Sequence, residues 1–220
     1  LLDAILKKLD LTKPPSETDG EEGLRLAIVG MPNVGKSSLT NGLLQKERTI
    51  VTPIAGTTRD AIDAHIKWHG KDTTLVDTAG LRKLAKIKDK IEYYSTVRTQ
   101  NAIEEANVVL VLIDAEKGFG KQDKSIVDFV IDKGKGLIFV VNKWDLIKKE
   151  THTMNDFKDE IRYQFKSMGH YPLLFISALT KQRIHKVLET AWEVYDRSQN
   201  LTSTNKLNEA LEQIIFKNPP

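Results

Sequence analysis

Cysteine is absent from the 220 residues, which excludes disulfide staples, thiolate nucleophiles and cysteine-ligated zinc or iron–sulfur centres and is compatible with a reducing, cytoplasmic setting. The five histidines are scattered, without the spacing of metal ligands. Long apolar runs are missing as well. Val108–Ile113 and Leu137–Val141 are the longest, far short of the ~20 residues a membrane-spanning helix needs, so no membrane is expected as a partner. Charge of one sign is also scarce. Thirty-three basic residues against 30 acidic ones leave a net charge of +3, too small to announce a polyanion binder by itself. With only 13 glycines and 7 prolines beside 40% apolar residues, the composition is that of a folded globular chain with a core.

The first residue is leucine, and the opening segment alternates acids and bases instead of presenting an apolar signal core. The chain is therefore expected to be a piece of something longer, without a secretion signal. Leu1, Leu2, Ile5, Leu6 and Leu9 recur at helical spacing, and two prolines and four acids follow between Thr12 and Gly23. Residues 1–23 thus read as a helix ending a preceding domain and an acidic linker. Residues 24–198 alternate short β-rich runs with helical patterns. Residues 199–220 read as a linker and the start of a further, truncated domain.

Within 24–198 the strand candidates are Leu24–Val29, Ile62–Trp68, Thr73–Val76, Val108–Ile113, Leu137–Val141 and Leu173–Ile176. The second alternates apolar and polar residues, as an edge strand does, and His69-Gly70-Lys71 reads as a hairpin turn into the third. The remaining strands read as continuously apolar and buried on both faces. Helical patterns at Lys36–Leu44, Ile91–Glu105, Gln122–Ile131, Met154–Phe165 and Ile184–Tyr195 separate the strands. The expectation is a three-layer α/β domain with a doubly wound, mainly parallel six-stranded sheet and one antiparallel edge strand. Trp68, Trp144 and Trp192 do not cluster and read as packing residues, as do Phe129 and Phe165.

The chemistry begins where the first strand ends. Gly30-Met31-Pro32-Asn33-Val34-Gly35-Lys36-Ser37 fits the phosphate-loop pattern in the strand–turn–helix setting that pattern requires, with Ser38 next in the helix. The two glycines let successive backbone N–H groups point inward, and the helix N-terminus adds its positive dipole end. Lys36 reaches terminal phosphates as a point charge, and the Ser37 hydroxyl suits Mg²⁺, a hard cation. Asp77-Thr78-Ala79-Gly80 ends the third strand, where a carboxylate faces the metal's hydration shell, through water, and the Gly80 N–H approaches a γ-phosphate.

Asn142-Lys143-Trp144-Asp145 ends the fifth strand. Its carboxylate accepts from the N1–H and exocyclic amine of guanine; adenine presents an acceptor at N1 and is rejected. Ser177-Ala178-Leu179, after the sixth strand, offers a backbone N–H to guanine O6. Thr52 to Asp60 is too polar and too broken by Gly and Pro for a packed element. It reads as a switch in which a threonine closes on Mg²⁺ and the γ-phosphate, Thr58 being preferred over the neighbouring Thr57. The substrate expected from these residues is Mg²⁺-GTP, hydrolysed to GDP and phosphate.

The ordered set GMPNVGKS, GTTRD, DTAGL, NKWD and SAL resembles the translation-factor-like GTPases with a Ras-like G domain. Together with Ile91-Glu92-Tyr93-Tyr94-Ser95 and Arg98 it is similar to the second G domain of the EngA (Der) family, bacterial GTPases with two tandem G domains. The resemblance implies that residues 1–23 come from the end of the first G domain and its linker, and that 199–220 lead into a KH-like domain. It also implies a role in assembling the large ribosomal subunit, with ribosomal RNA as partner of the intact protein.

Leu81 follows Gly80 where Ras-like proteins carry the glutamine that orients water. The resemblance implies compensation by a potassium ion held at Asn33, beside the phosphates, with slow intrinsic turnover; the catalytic set is then Lys36, Asn33, Thr58 and Gly80. The basic run Arg82, Lys83, Lys86, Lys88 and Lys90 is a candidate RNA contact. Two other readings share these motifs: a GTP/GDP-sensing module without turnover, and the G domain of an MnmE-like tRNA-modification GTPase.

Overall fold

A computed structural model describes residues 23–46, 63–78, 92–148, 153–165 and 169–199, with Asn208. Eleven elements run in the order β1 (Leu24–Gly30), α1 (Lys36–Lys46), β2 (Ala64–Trp68), β3 (Lys71–Leu75), α2 (Glu92–Glu105), β4 (Val108–Asp114), α3 (Lys121–Asp132), β5 (Gly136–Asn142), α4 (Thr153–Gln164), β6 (Leu173–Phe175) and α5 (His185–Ser198). The sheet order is β2-β3-β1-β4-β5-β6. Every pairing is parallel except β2 with β3. The expected α/β class and the antiparallel strand at one edge are both present.

Alternation along the strands divides the core between the two faces of the sheet. Ala27, Val29, Val109, Val111, Leu137, Phe139 and Val141 face Ile103 of α2, Val127 and Val130 of α3, and Ile161 of α4. Leu24, Leu26, Ile28, Val108, Leu110, Leu112, Ile138 and Val140 face Leu39 and Leu43 of α1 and Val187, Leu188 and Ala191 of α5. Three layers result because the central strands have no polar face to give to water: all seven residues of β4 are buried. Burial of one such leucine contributes about 2 kcal/mol.

The β2–β3 hairpin turns on two residues, His69 and Gly70, with φ of 47° and 84°. Two positive φ values give a turn whose twist matches that of the strands, so Lys71 is the first residue of β3 and not part of the turn. The third strand thus begins and ends earlier than expected, and Val76 and Asp77 form a turn beyond it. Nor is β3 uniformly buried, since Lys71 and Asp72 are exposed beside the hairpin turn. β6 is only half-buried in its first two residues because it is the opposite edge of the sheet. Ile62, expected in the second strand, lies outside the described residues, as do the opening helix, the acidic linker and the basic run 82–90.

Trp144 is 3% exposed and packs against Phe157 and Phe175 with ring centroids 5.9 and 4.4 Å away. Trp192 donates Nε1–H to Thr73 Oγ1 at 3.1 Å, and Trp68 lies against the same core face. The tryptophans pack, as their scatter in the sequence suggested. Among the described residues no helix is long and apolar enough to cross a membrane.

Candidate functional site: the loops at the carboxyl ends of the strands

The chain leaves β1 for β2 and β3 on one side, then returns through α2 to β4 on the other. Open α/β sheets bind ligands where the winding reverses in this way, outside the carboxyl ends of the strands. The phosphate-loop residues Gly30 to Ser37 occupy that point, between β1 and α1. Gly30 has φ of 141°, and a β-carbon there would lie 2.5 Å from the Leu112 carbonyl oxygen of the adjacent strand. Gly35 has φ of 99°, and its β-carbon would collide with the side-chain amide of Asn142. Glycine is required at both positions by conformation and by space.

Lys36, the first residue of α1, folds back over the loop. Its Nζ donates to the carbonyls of Gly30 and Met31 at 2.7 and 2.8 Å. Burial pushes its ammonium down from 10.5 to about 8, because the charged form is the one that loses solvation. Leu39 N–H donates to Gly35 O at 2.9 Å, so the helix begins immediately after the second glycine. Val34 is buried, whereas Pro32, Asn33 and Ser38 are exposed, and Met31 and Ser37 are half-buried. Asn33 takes the left-handed backbone (φ 64°) that asparagine tolerates better than most residues. Asn33 is exposed, and the bonds that close the loop on itself come from Lys36.

Asn142, at the end of β5, is 2% exposed and joins three segments. Its Nδ2 donates to Val34 O at 2.7 Å, and its Oδ1 accepts from Ala178 N–H at 2.9 Å. Lys143 is left-handed (φ 63°), which turns its ammonium onto Asp114 Oδ2 at 2.6 Å. Desolvation of the buried Asp114 acts to raise its carboxyl. The Lys143 hydrogen bond, the Glu116 N–H and the charges of Lys143 and Lys117 outweigh it and hold the carboxyl below 3.8. Asp145 Oδ1 is buried and without a hydrogen-bond partner among the described residues. A buried carboxylate oxygen left unmatched is costly, so this atom marks a place for a donor. Thr180 N–H donates to Ser177 Oγ at 3.1 Å, which shapes the turn that presents Ala178 and Leu179.

Asp77 lies two residues beyond β3 in a left-handed turn (φ 52°), where its N–H donates to Asp63 Oδ1 at 3.1 Å. Thr78 is buried beside it. Of the expected site residues, the structure brings together Gly30 to Ser38, Asn142 to Asp145 and Ser177 to Leu179. Thr57, Thr58, Ala79, Gly80 and Leu81 lie outside the described residues. Two supporting residues escaped the sequence reading. Asp114 carried a signal, being the one acid closing an otherwise apolar strand; Asp63 carried none.

The family model for 50S ribosome-binding GTPases matches residues 25–143, more than half of the chain. The chain belongs to this family. GTPase Der of Chlorobium phaeobacteroides (strain BS1) is 50% identical over 208 residues, covering 94% of this chain and 48% of that protein. GTPase Der of Chloroflexus aggregans (strain MD-66 / DSM 9485) is 48% identical over 218 residues, covering 98% of this chain and 49% of that protein. The chain spans about half the length of the curated relatives it matches. The solved structure of Era in complex with MgGDPNP and nucleotides 1506–1542 of 16S ribosomal RNA superposes with a TM-score of 0.58 at 28% identity, covering 78% of this chain and 56% of Era. The Ras-like P-loop fold and the EngA (Der) resemblance read from the motifs both stand on these findings.

Proposed function

We propose that this chain is the GTP-binding and GTP-hydrolysing domain of a GTPase that acts in large ribosomal subunit assembly in the cytoplasm, Mg²⁺-dependent and stimulated by K⁺. The observation that carries the reading is Asp145 Oδ1, buried and unmatched in the motif whose Asn142 is tied to the phosphate loop. Guanine supplies two parallel donors, N1–H and the 2-amine, to one carboxylate; adenine cannot. Lys36, parked on two loop carbonyls, has an ammonium that terminal phosphate oxygens would draw off them.

The donor set suits the expected ions. Ser37 and Asp77 offer a hydroxyl and a carboxylate, oxygen ligands that fit Mg²⁺, with Thr58 as the switch ligand. The exposed Asn33 amide suits K⁺. Bound there, the two cations would neutralise charge developing on the phosphates during attack of water. Leu81 cannot orient that water, which supports slow intrinsic turnover. The ribosomal reading rests on the family and on its relatives: the large ribosomal subunit and its RNA are the partners proposed for the intact protein.

Phosphate release from GTP and from ATP, with Mg²⁺, in matched KCl and NaCl tests this. GTP should turn over faster in K⁺ than in Na⁺, ATP should not turn over, and Lys36→Ala should be inactive. Asn33→Ala should abolish the difference between the salts. Equal turnover of ATP, or an active Lys36→Ala, would sink the reading.

A further inference from the structure

Among the described residues, six other than glycine have positive φ: Asn33, His69, Asp77, Lys143, Lys181 and Arg183. Asn, His and Asp tolerate this region; long unbranched side chains do so at a cost that glycine would avoid. For Lys143 the compensation is internal, the Asp114 carboxylate at 2.6 Å. Lys181 and Arg183 have no such anion. The Lys181 ammonium meets the neutral Gln45 Oε1 at 3.2 Å, and neither residue belongs to an ion pair among the described residues.

The stretch of sequence that carries them is of one charge. No aspartate or glutamate occurs between Glu160 and Glu189, and Lys181, Arg183, His185 and Lys186 are all exposed. Ser177 and Gln182 form a β-bridge that closes this turn and fixes where its cations stand. Beside them, along β6, a cavity of about 230 Å³ is lined by Met154, the segment from Leu173 to Ile176, Arg183 and Lys186. Apolar side chains beside cations that belong to no ion pair among the described residues fit a segment whose backbone is a string of anions and whose bases are flat.

We propose that the Lys181–Arg183 turn, Lys186 in the first turn of α5 and the adjoining β6 groove are an RNA-contact surface, with phosphates on Lys181, Arg183 and Lys186 and an unstacked nucleotide in the groove. This rests on the ribosomal reading above and adds to it the surface that meets the RNA. The turn continues directly from Ser177-Ala178-Leu179, so one short segment carries guanine contact at one end and RNA contact at the other.

The test uses the whole 220-residue chain with GTP, and deproteinised large-subunit ribosomal RNA as the probe, titrated at several KCl concentrations. Lys181→Glu with Arg183→Glu should weaken binding at least tenfold and reduce the slope of log affinity against log salt by roughly 1.4, the value for two phosphate contacts on single strands. Lys181→Gly with Arg183→Gly should also weaken binding, by less than charge reversal does, while melting about 2 °C higher per site, since backbone strain is relieved. Lys181→Arg should retain binding, and GTP affinity should be unchanged throughout.

Unchanged affinity and slope in both double variants would overturn the proposal, as would a wild-type chain that fails to bind the RNA at low salt. Polyglutamate binding with the same dependence on Lys181 and Arg183 would reassign the surface to an acidic protein and overturn it too. Failure of the K⁺ and ATP controls described for hydrolysis would strike the GTPase reading and leave these outcomes legible.

Discussion

Asn142 Nδ2 donates to the Val34 carbonyl at 2.7 Å across a separation of 108 residues, binding the guanine motif to the phosphate loop. Its other end holds Ala178 N–H, so one buried amide sets the spacing of three loop segments. Asn142→Ala removes both bonds and leaves Val34 O and Ala178 N–H buried without a partner. The expected cost is about 2–4 kcal/mol of stability, with a large loss of GTP affinity. A denaturant melt at the wild-type midpoint would contradict this role.

Lys36 supplies a pH dependence of defined sign. Its folded value is about 8 against 10.5 ordinarily, so between those limits the unfolded chain binds more protons than the folded one. Stability therefore carries the full cost of burying the ammonium below pH 8 and gains as pH rises from about 8 toward 10.5. Urea titrations from pH 7 to 10.5 should show this rise in the wild type and lack it in Lys36→Met. GTP binding, which favours the charged amine, should weaken above pH 8; affinity that stays flat to pH 10 would contradict the assignment.

Asp145 should be exchangeable for a different specificity. In Asp145→Asn an amide donor replaces a carboxylate oxygen, which disfavours the 2-amino group of guanine and favours the 2-oxo group of xanthine. Affinity for GTP should fall roughly 10²- to 10⁴-fold and XTP should become the better ligand. Undiminished GTP binding would remove Asp145 from base recognition.

Much of this was legible in the sequence, and the reason differs from element to element. Val108–Ile113 and Leu137–Val141 had to be central strands because uninterrupted apolar residues leave no face for water, and Gly30 to Ser37 combined a phosphate-binding pattern with the right neighbours. The β3 boundary was not legible, since Lys71 and Asp72 pair in the sheet while lying exposed beside the hairpin turn. Asn142 stands out in the sequence as part of the guanine-recognition motif, but its bonds to Val34 and Ala178 depend on a fold-level juxtaposition that spacing does not encode. The left-handed backbone of Lys143, Lys181 and Arg183 was likewise invisible, because no glycine marks those positions.

Asp114 ties the end of β4 to Lys143, and its replacement should be felt both in stability and at the nucleotide. Asp114→Ala leaves a partly exposed ammonium unpaired and opens the turn at Glu116, for a cost of about 1–3 kcal/mol. The wild-type carboxyl lies below 3.8, so its contribution is complete above that value and disappears as pH falls through the lowered one. Acid melts of the wild type and Asp114→Ala should therefore converge at the lowest pH; a constant difference would contradict the ion pair.

Calorimetric titration of the chain with GTP, ITP and ATP in the presence of Mg²⁺ is the most direct test of the central claim, that Asp145 and the phosphate loop form one guanine nucleotide site. ITP keeps N1–H and lacks the 2-amine, so it should bind about tenfold more weakly than GTP for one lost hydrogen bond, and ATP should show no measurable heat. ATP binding as tight as GTP would contradict the claim outright.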